Sequence, residues 1–407
     1  MNLYPHQIEA LEFLLEKKRC ILASEPRTGK TLPAVAAAMK NLPALIICPA
    51  IVKSVIERAC AVVDPTIPVT VIDGRIAAHN LVAGQGVFIM SYDVAPYLLH
   101  FTGWNTLVLD EAHRIASNTA KRTKAAVKLM KKTPNVYCLT GTPIPRHPIG
   151  LFPMLHGLGI YKGSWMAFAF RYAKAWQSPW GFDTTGSSNL PELREKIKPH
   201  ILRHTKEQVF VDYQAPAFSI ITFDLPVSRR EQEFDAESLV VNPNVVLALE
   251  GLSELLLESA RKKVKSCIEF ISDLAESGQP VIVFAVHKEI VASLERGLKE
   301  HGVVKVVGDT PAKERDQNIA DFQSGKANVI IGNVAAMSEG VDLSRGDTIV
   351  FVETGWSPAT LTQASSRVEN LQKKGGATIY LLTTANSLDH RVIKTILKKK
   401  GIIDQII

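Results

Sequence analysis

The sequence predicts an α/β protein made of two tandem parallel-sheet lobes with a helical insertion between them. Three observations carry this. Short apolar runs such as Cys20-Ile21-Leu22-Ala23 and Thr106-Leu107-Val108-Leu109 end on polar, ligand-type residues, as strands buried on both faces of an open α/β sheet do. A second series of such runs, from Val281 to Leu382, alternates with helical stretches and implies right-handed βαβ units. Between the two series lies a segment rich in aromatics and helix signals. The expected boundaries are 1–158 for the first lobe, 159–275 for the insertion and inter-lobe connection, and 276–407 for the second lobe.

The chain starts with Leu3-Tyr4-Pro5-His6-Gln7 ahead of a helix with apolar residues at Ile8, Leu11, Phe13 and Leu14. The Gln7 amide can hydrogen-bond an adenine edge, which would select ATP. Ser24-Glu25-Pro26-Arg27-Thr28-Gly29-Lys30-Thr31 then follows the first apolar run and leads into the helix-forming Val35 to Met39. Strand, tight loop and helix start is the context of a phosphate-binding loop, in which backbone N–H groups at Thr28 and Gly29 converge on a triphosphate. Lys30 would supply a point charge to the β/γ-phosphates and the Thr31 hydroxyl a ligand to Mg²⁺. Ser24 departs from the usual first glycine.

About 80 residues further on, Asp110-Glu111-Ala112-His113 closes the run Thr106 to Leu109. Asp110 would hold Mg²⁺ through water, and Glu111 would accept a proton from the attacking water. Leu139-Thr140-Gly141-Thr142-Pro143 ends another apolar strand, Val136 to Cys138, and its hydroxyls could relay the state of the phosphate site. This combination is that of a nucleotide hydrolase.

Between Ser117 and Lys132 stand Lys121, Arg122, Lys124, Lys128, Lys131 and Lys132 with no acid. A solvated helix face explains such a run as well as a phosphate-backbone contact does, and its unbalanced sign beside a nucleotide motif favours the contact. Residues 1–200 carry 23 Lys+Arg against 13 Asp+Glu, and residues 201–407 carry 24 against 27, so the positive excess lies in the first half. The aromatic segment (Trp165, Phe168, Phe170, Tyr172, Trp176, Trp180) reads first as core. Pro191 onward reads as a helix with Asn189 as its cap. In the second lobe, Val281–Ala285, Val303–Val306, Val329–Gly332, Ile349–Val352 and Thr378–Leu382 are the strand candidates. Arg367 could reach across a cleft to a γ-phosphate, so that hydrolysis requires closure.

With 407 residues and 46% hydrophobic content the chain can build two or three cores. No apolar run approaches 18 residues and no leader precedes Pro5, so neither a membrane span nor a signal peptide is expected. The five cysteines are scattered and lie mostly in apolar runs; they read as buried thiols of a reducing compartment, with no zinc site.

The order of these motifs resembles a superfamily 2 helicase of the Swi/Snf type, which implies RecA-like lobes. The phosphate loop, Asp110-Glu111-Ala112-His113, Leu139 to Pro143, and Trp356-Ser357-Pro358 with Gln363-Ala364 and Arg367 match in sequence order. Phe170-Arg171-Tyr172, Trp180 to Asp183, Gly186 to Leu190 and Asp309 to Arg315 are similar to the annealing helicases of the HARP type and their small bacterial and phage relatives. The resemblance implies ATP and Mg²⁺ as cofactors and DNA, gripped through its phosphates, as partner. It places Gln363 with Arg367 in catalysis, Gly340 and Asp342 at the nucleotide, and Pro49, Lys53, Tyr92, Arg114 and Trp356 along the DNA, beside Lys121 and Lys124. Three departures stand out: Arg27 in place of a loop glycine, Ser365-Ser366 in place of an acidic pair, and Asn370 in place of a second arginine.

The reading is an ATP-driven DNA translocase that tracks duplex or branched DNA, in fork remodelling, annealing or branch migration. A cytoplasmic residence, in a bacterium or a phage-infected cell, is expected, with a nuclear one left open. Two alternatives stand beside it: an RNA helicase, and a nucleic-acid clamp that hydrolyses ATP weakly.

Overall fold

The computed structural model describes residues 2–79, 81, 84–99, 103–141, 147–178, 181–210, 213–232, 252–337, 341–353, 361, 366–368 and 376–394. The chain divides into two compact units, Met1–Val209 and Phe210–Ile407, a boundary that falls within the 159–275 segment.

The first unit is built on a seven-stranded sheet. Its strands are β1 (Arg19–Leu22), β2 (Ala44–Cys48), β3 (Val69–Ile72), β4 (Val87–Ser91), β5 (Thr106–Leu109), β6 (Asn135–Leu139) and, after a two-stranded ribbon of β7 (Trp176–Ser178) and β8 (Gly181–Asp183), β9 (Ile201–Leu202). The order is β3-β4-β2-β5-β6-β1-β9, and every neighbouring pair is parallel. β2, β4 and β5 are buried at every position, because helices cover both faces.

Strand alternation sorts the apolar residues into two layers. Ile21, Leu45, Ile47, Met90, Leu107, Leu109 and Cys138 pack in a core with the helices α5 (Lys121–Lys132), α6 (Phe152–Leu158) and α7 (Trp165–Tyr172). Cys20, Leu22, Ile46, Cys48, Val108 and Tyr137 face the other way, toward α1 (Pro5–Lys17), α2 (Thr31–Met39) and α3 (Lys53–Val63). All five cysteines are buried free thiols, and burial pushes Cys20 and Cys267 up to about 12 and Cys60 up to about 11.

One side chain ties the basic helix to the first strand. Arg19, at the start of β1, donates to the carbonyls of Met130 (2.9 Å), Gly157 (2.7 Å) and Leu158 (3.1 Å). Its planar fork thereby satisfies carbonyls at the ends of α5 and α6, which a helix leaves unpaired.

The second unit repeats the plan. β10 (Ala217–Phe223), β11 (Val281–Ala285), β12 (Val303–Val306), β13 (Val329–Asn333), β14 (Thr348–Phe351) and β15 (Thr378–Thr384) form a parallel sheet in the order β10-β15-β14-β11-β13-β12. Five of the six strands coincide with the second-lobe candidates to within two residues at either end, and β10 falls on Phe218 to Leu225, which also reads as a strand in the sequence. The helix Leu252–Glu276 covers one face. Within it Lys263 is buried and donates to the Leu382 carbonyl at 2.6 Å and to Asp389, which also accepts from Thr383 Oγ1 (3.1 Å) and Ser387. The two-lobed RecA-like architecture is thus present, each lobe with its own parallel sheet. Among the described residues no helix is long and apolar enough to cross a membrane.

Candidate functional site

In an open parallel sheet, ligands gather at the carboxyl ends of the strands. β5, β6 and β1 are consecutive in the first sheet, so the Asp110-Glu111 turn, Thr140 and the phosphate loop emerge side by side from one sheet end. At about 4.8 Å per strand, the loop and the acidic turn lie roughly 10 Å apart, with Thr140 between them.

The loop is braced from three directions. From the N-terminal helix, Gln7 Nε2 donates to the Gly29 carbonyl at 3.0 Å and His6 Nε2 to the Thr28 carbonyl at 2.8 Å. Gln7 is buried, and its Oε1 accepts from Tyr4 N at 3.0 Å. From the segment after β9, Glu25 N donates to the His204 carbonyl at 2.9 Å, and Arg203 Nη2 and Lys206 N donate to the Glu25 carboxylate, both at 3.1 Å. Ser24 Oγ accepts from His204 N at 3.2 Å and donates to His204 Nδ1 at 3.1 Å, which leaves His204 Nε2–H for Glu9 at 3.1 Å. Inside the loop, the Glu25 carbonyl collects Thr28 Oγ1 (2.8 Å) and Lys30 Nζ (2.9 Å). From β6, Gly141 approaches Pro26 so closely that a Cβ there would lie 2.9 Å from the proline ring.

Ser24 and Arg27 therefore have physical accounts. A buried hydroxyl at Ser24 binds the returning chain. Arg27 has φ +69° and Gly29 φ +82°, so both loop positions need left-handed backbone, which a glycine adopts freely and an arginine only at a cost. Lys30 ends the loop in helical conformation, and Thr31 opens α2.

Asp110 is buried at the end of β5, its N–H donating to the Ile47 carbonyl at 2.8 Å. Glu111 takes a left-handed backbone (φ +52°, ψ +51°), a strain of the kind that collects at functional sites. His113 Nδ1 stands 3.3 Å from both Glu111 Oε2 and Thr140 Oγ1. His113 thereby joins the acidic turn to the Thr140 hydroxyl.

The residues that the resemblance sets along DNA are placed as follows. Lys121, Lys124 and Lys128, with Lys131 and Lys132, form the exposed face of α5, while Thr123, Ala126, Leu129 and Met130 form its buried face. Arg114 lies one turn past Glu111, and its carbonyl accepts from Arg122 Nε at 3.2 Å. Pro49 is buried after β2, and Lys53 opens α3 in an ion pair with Asp73. Tyr92 is buried in the core beneath the acidic turn, and its hydroxyl donates to the Asp110 carbonyl at 2.7 Å. Asn189 stands before the helix Leu190–Ile197 as expected, but the capping expectation is corrected. Its backbone is left-handed, it makes no side-chain cap bond, and its Nδ2 donates instead to the Arg171 carbonyl at 2.8 Å.

In the second unit, Asp342 is exposed and its Oδ1 accepts from Ser344 N at 3.2 Å; the Arg367 carbonyl accepts from Leu343 N at 3.1 Å, between buried Ser366 and Val368. Thr142, Pro143, Trp180, Gly340, Trp356 to Pro358, Gln363 to Ser365 and Asn370 lie outside the described residues.

Sequence reasoning missed His6, Arg203 and His204 as braces of the loop. His6 adjoins Gln7, but His204 is 180 residues from its partner Ser24, and no local pattern announces that contact.

The profile of the SNF2-related domain matches residues 6–276 and that of the helicase conserved C-terminal domain residues 262–372. The chain is 27% identical, over 99% of its own length and 44% of the relative's, to the SWI/SNF-related matrix-associated actin-dependent regulator of chromatin subfamily A-like protein 1 of Xenopus laevis. It is 26% identical, over 95% of its length and 39% of the relative's, to the DNA annealing helicase and endonuclease ZRANB3 of Mus musculus. It thus spans less than half the length of these curated relatives. Among solved structures it is similar in fold to S. cerevisiae Dbp5 bound to RNA and ADP BeF3, with TM-score 0.60, 15% identity, and coverage of 96% of this chain and 86% of that one.

Proposed function

This chain belongs to the SNF2-related domain family, and we propose that it is an ATP-driven motor that moves on duplex or branched DNA in fork remodelling, annealing or branch migration. The observation that carries the reading is the convergence of the Lys30 loop, the Asp110-Glu111 turn and Thr140 on adjacent strand ends, in a unit that also exposes the lysine face of α5. The names of the relatives, a chromatin regulator and a DNA annealing helicase, favour DNA over RNA.

Each role follows from chemistry. Lys30 and the Thr28 N–H, which both donate to the Glu25 carbonyl (2.9 and 3.4 Å), exchange it for the phosphates when a triphosphate enters, beside the Gly29 N–H. Thr31 and Asp110 offer hard oxygen donors. Among the described residues no group of three or more His, Cys, Asp and Glu could hold a metal by itself. That suits Mg²⁺, which takes most of its ligands from phosphates and water, and when bound it neutralises phosphate charge. Glu111, oriented by His113, accepts the proton of the attacking water. In the second unit Arg367 stabilises transition-state charge together with Gln363, and Gly340 and Asp342 hold the nucleotide. Pro49, Lys53, Tyr92, Arg114, Lys121, Lys124 and Trp356 line or support the DNA path.

Steady-state ATPase with no nucleic acid, duplex, forked DNA, single strand and RNA tests the reading. Duplex or forked DNA should stimulate most, and Glu111→Gln should keep ATP binding and lose roughly 10²-fold or more in rate. Stimulation by RNA alone would make it an RNA helicase. ATP and DNA binding without turnover would make it a clamp.

A further inference from the structure

The aromatic segment is two-sided. On α7, Phe168 and Tyr172 are buried in the core, whereas Met166 is 48% exposed and Phe170, one turn on, 57% exposed. Phe182 of the β7–β8 ribbon meets Phe170 edge-on, with centroids 5.5 Å apart, and Trp165 at 5.8 Å. In the ribbon, Trp176 pairs with Asp183 and Gln177 with Phe182. Trp176, 54% exposed, therefore projects from the ribbon face opposite Phe182. Phe170 and Trp176 are thus exposed rings on opposite sides of the ribbon, with half-buried Phe182 packed between Phe170 and Trp165.

The end of α7 beneath the platform is tied down by hydrogen bonds. Ser188 Oγ and Asn189 Nδ2 both donate to the Arg171 carbonyl at 2.8 Å, and Ser188 N donates to the Tyr172 carbonyl at 3.0 Å, closing the end of α7. Gly186 packs so tightly that a Cβ there would lie 2.9 Å from the Ala173 carbonyl oxygen.

Its charge points to a polyanion. From Ala112 to Phe182 the chain has no acid and eleven Lys or Arg residues, the last three being Lys162, Arg171 and Lys174. The next acids are occupied internally: Asp183 Oδ1 accepts from Thr185 N (2.7 Å) and Oγ1 (2.8 Å), and Glu192 accepts from Tyr172 (2.7 Å) and Arg171. Arg171 is thus spent on Glu192, and Lys162 and Lys174 are the cations left beside the segment; exposed rings near such lysines suit bases that stack while their phosphates meet Lys.

We propose that the outer face of α7 and the β7–β8 ribbon, through Phe170, Phe182 and Trp176, bind unpaired bases of single-stranded DNA by stacking. The proposal rests on the DNA-motor reading and adds a single-strand site to it. Bases paired in a duplex have their faces covered by neighbours, so this surface distinguishes a strand end or fork from continuous duplex.

The test measures, by fluorescence anisotropy without ATP, binding of the full chain to an oligothymidylate and to a duplex of equal length. Phe170→Ala and Trp176→Ala should each weaken single-strand binding about 5- to 150-fold, the span of one base–aromatic stack, and change duplex binding less than about 2-fold. Trp176→Phe should restore most of the loss; Phe170→Leu and Trp176→Leu, which keep apolar area and folding but no ring, should not. Unchanged single-strand affinity in the double alanine variant overturns the proposal. So does an equal loss on single strand and duplex, or full restoration by leucine, the mark of an apolar docking face for a protein. A wild-type chain that binds the oligothymidylate through these rings, yet gains no ATPase from any DNA, upholds this site and sinks the motor reading instead.

Discussion

Gln7 Nε2 donates to the Gly29 carbonyl at 3.0 Å, so the glutamine that the sequence offers to adenine is a brace of the phosphate loop. Its other amide atom is engaged by the Tyr4 N–H, which sets the orientation of the side chain. Gln7→Ala should weaken binding of non-hydrolysable ATP and GTP analogues alike, by roughly 5- to 10-fold, the worth of about one hydrogen bond. Calorimetric titration with both analogues checks this. A loss confined to the adenine nucleotide would return Gln7 to base recognition alone.

Arg27 should tolerate glycine and resist β-branching. At φ +69° an L-residue costs about 1–2 kcal/mol, partly offset for glycine by its more disordered unfolded chain. Arg27→Gly should leave unfolding free energy unchanged or raise it by up to about 1 kcal/mol, while Arg27→Val should lower it. Urea unfolding of both variants decides; a destabilised Arg27→Gly means that the arginine side chain, not its backbone, holds the loop.

Acid should loosen the loop through His6. Burial, with His204 adding to it, holds its pKa below 6.5, although the hydrogen bond to the Thr28 carbonyl and the charge of Glu9 pull the other way. The unfolded chain then binds more protons than the folded one as pH falls through 6.5 toward the folded value, so stability drops there. His6→Asn, which keeps a donor but cannot titrate, should lose less melting temperature than the wild type between pH 7.5 and 5.5. Equal losses would dismiss His6 as a source.

Lys263 and Asp389 should show strong coupling in the second unit. Burial pushes the Asp389 carboxyl up, but Lys263, Ser387 and Thr383 outweigh it and hold the group below its ordinary 3.8. Its stabilisation is therefore present above about pH 3.8 and is lost as pH falls through the folded value. Lys263→Met should cost about 3–5 kcal/mol by leaving a buried charge unpaired, and adding Asp389→Leu should recover much of it. Additive losses in the double-mutant cycle would contradict the coupling.

The sheets were legible because buried parallel strands are continuous apolar runs, as at Thr106–Leu109 and Val281–Ala285, where expectation and structure coincide. The two-residue strand Ile201–Leu202 and the three-residue strands of the aromatic ribbon were not, because they are too short to show a period. Asn189 looked like a cap by residue type; its partner proved to be a carbonyl 18 residues upstream.

The sequence by itself determined where the proposed nucleotide residues fall: Lys30, Thr31, Asp110 and Glu111 are local patterns at strand ends, and a parallel sheet brings strand ends together whatever the detail. It also showed the lysines of α5, since 3.6-residue spacing puts them on one face. Only the tertiary structure decided what braces the loop and which aromatics face water. Those facts depend on contacts such as Ser24 with His204, and on which side of α7 the core covers. A helix with apolar residues all round carries no sign of that choice until its neighbours are in place.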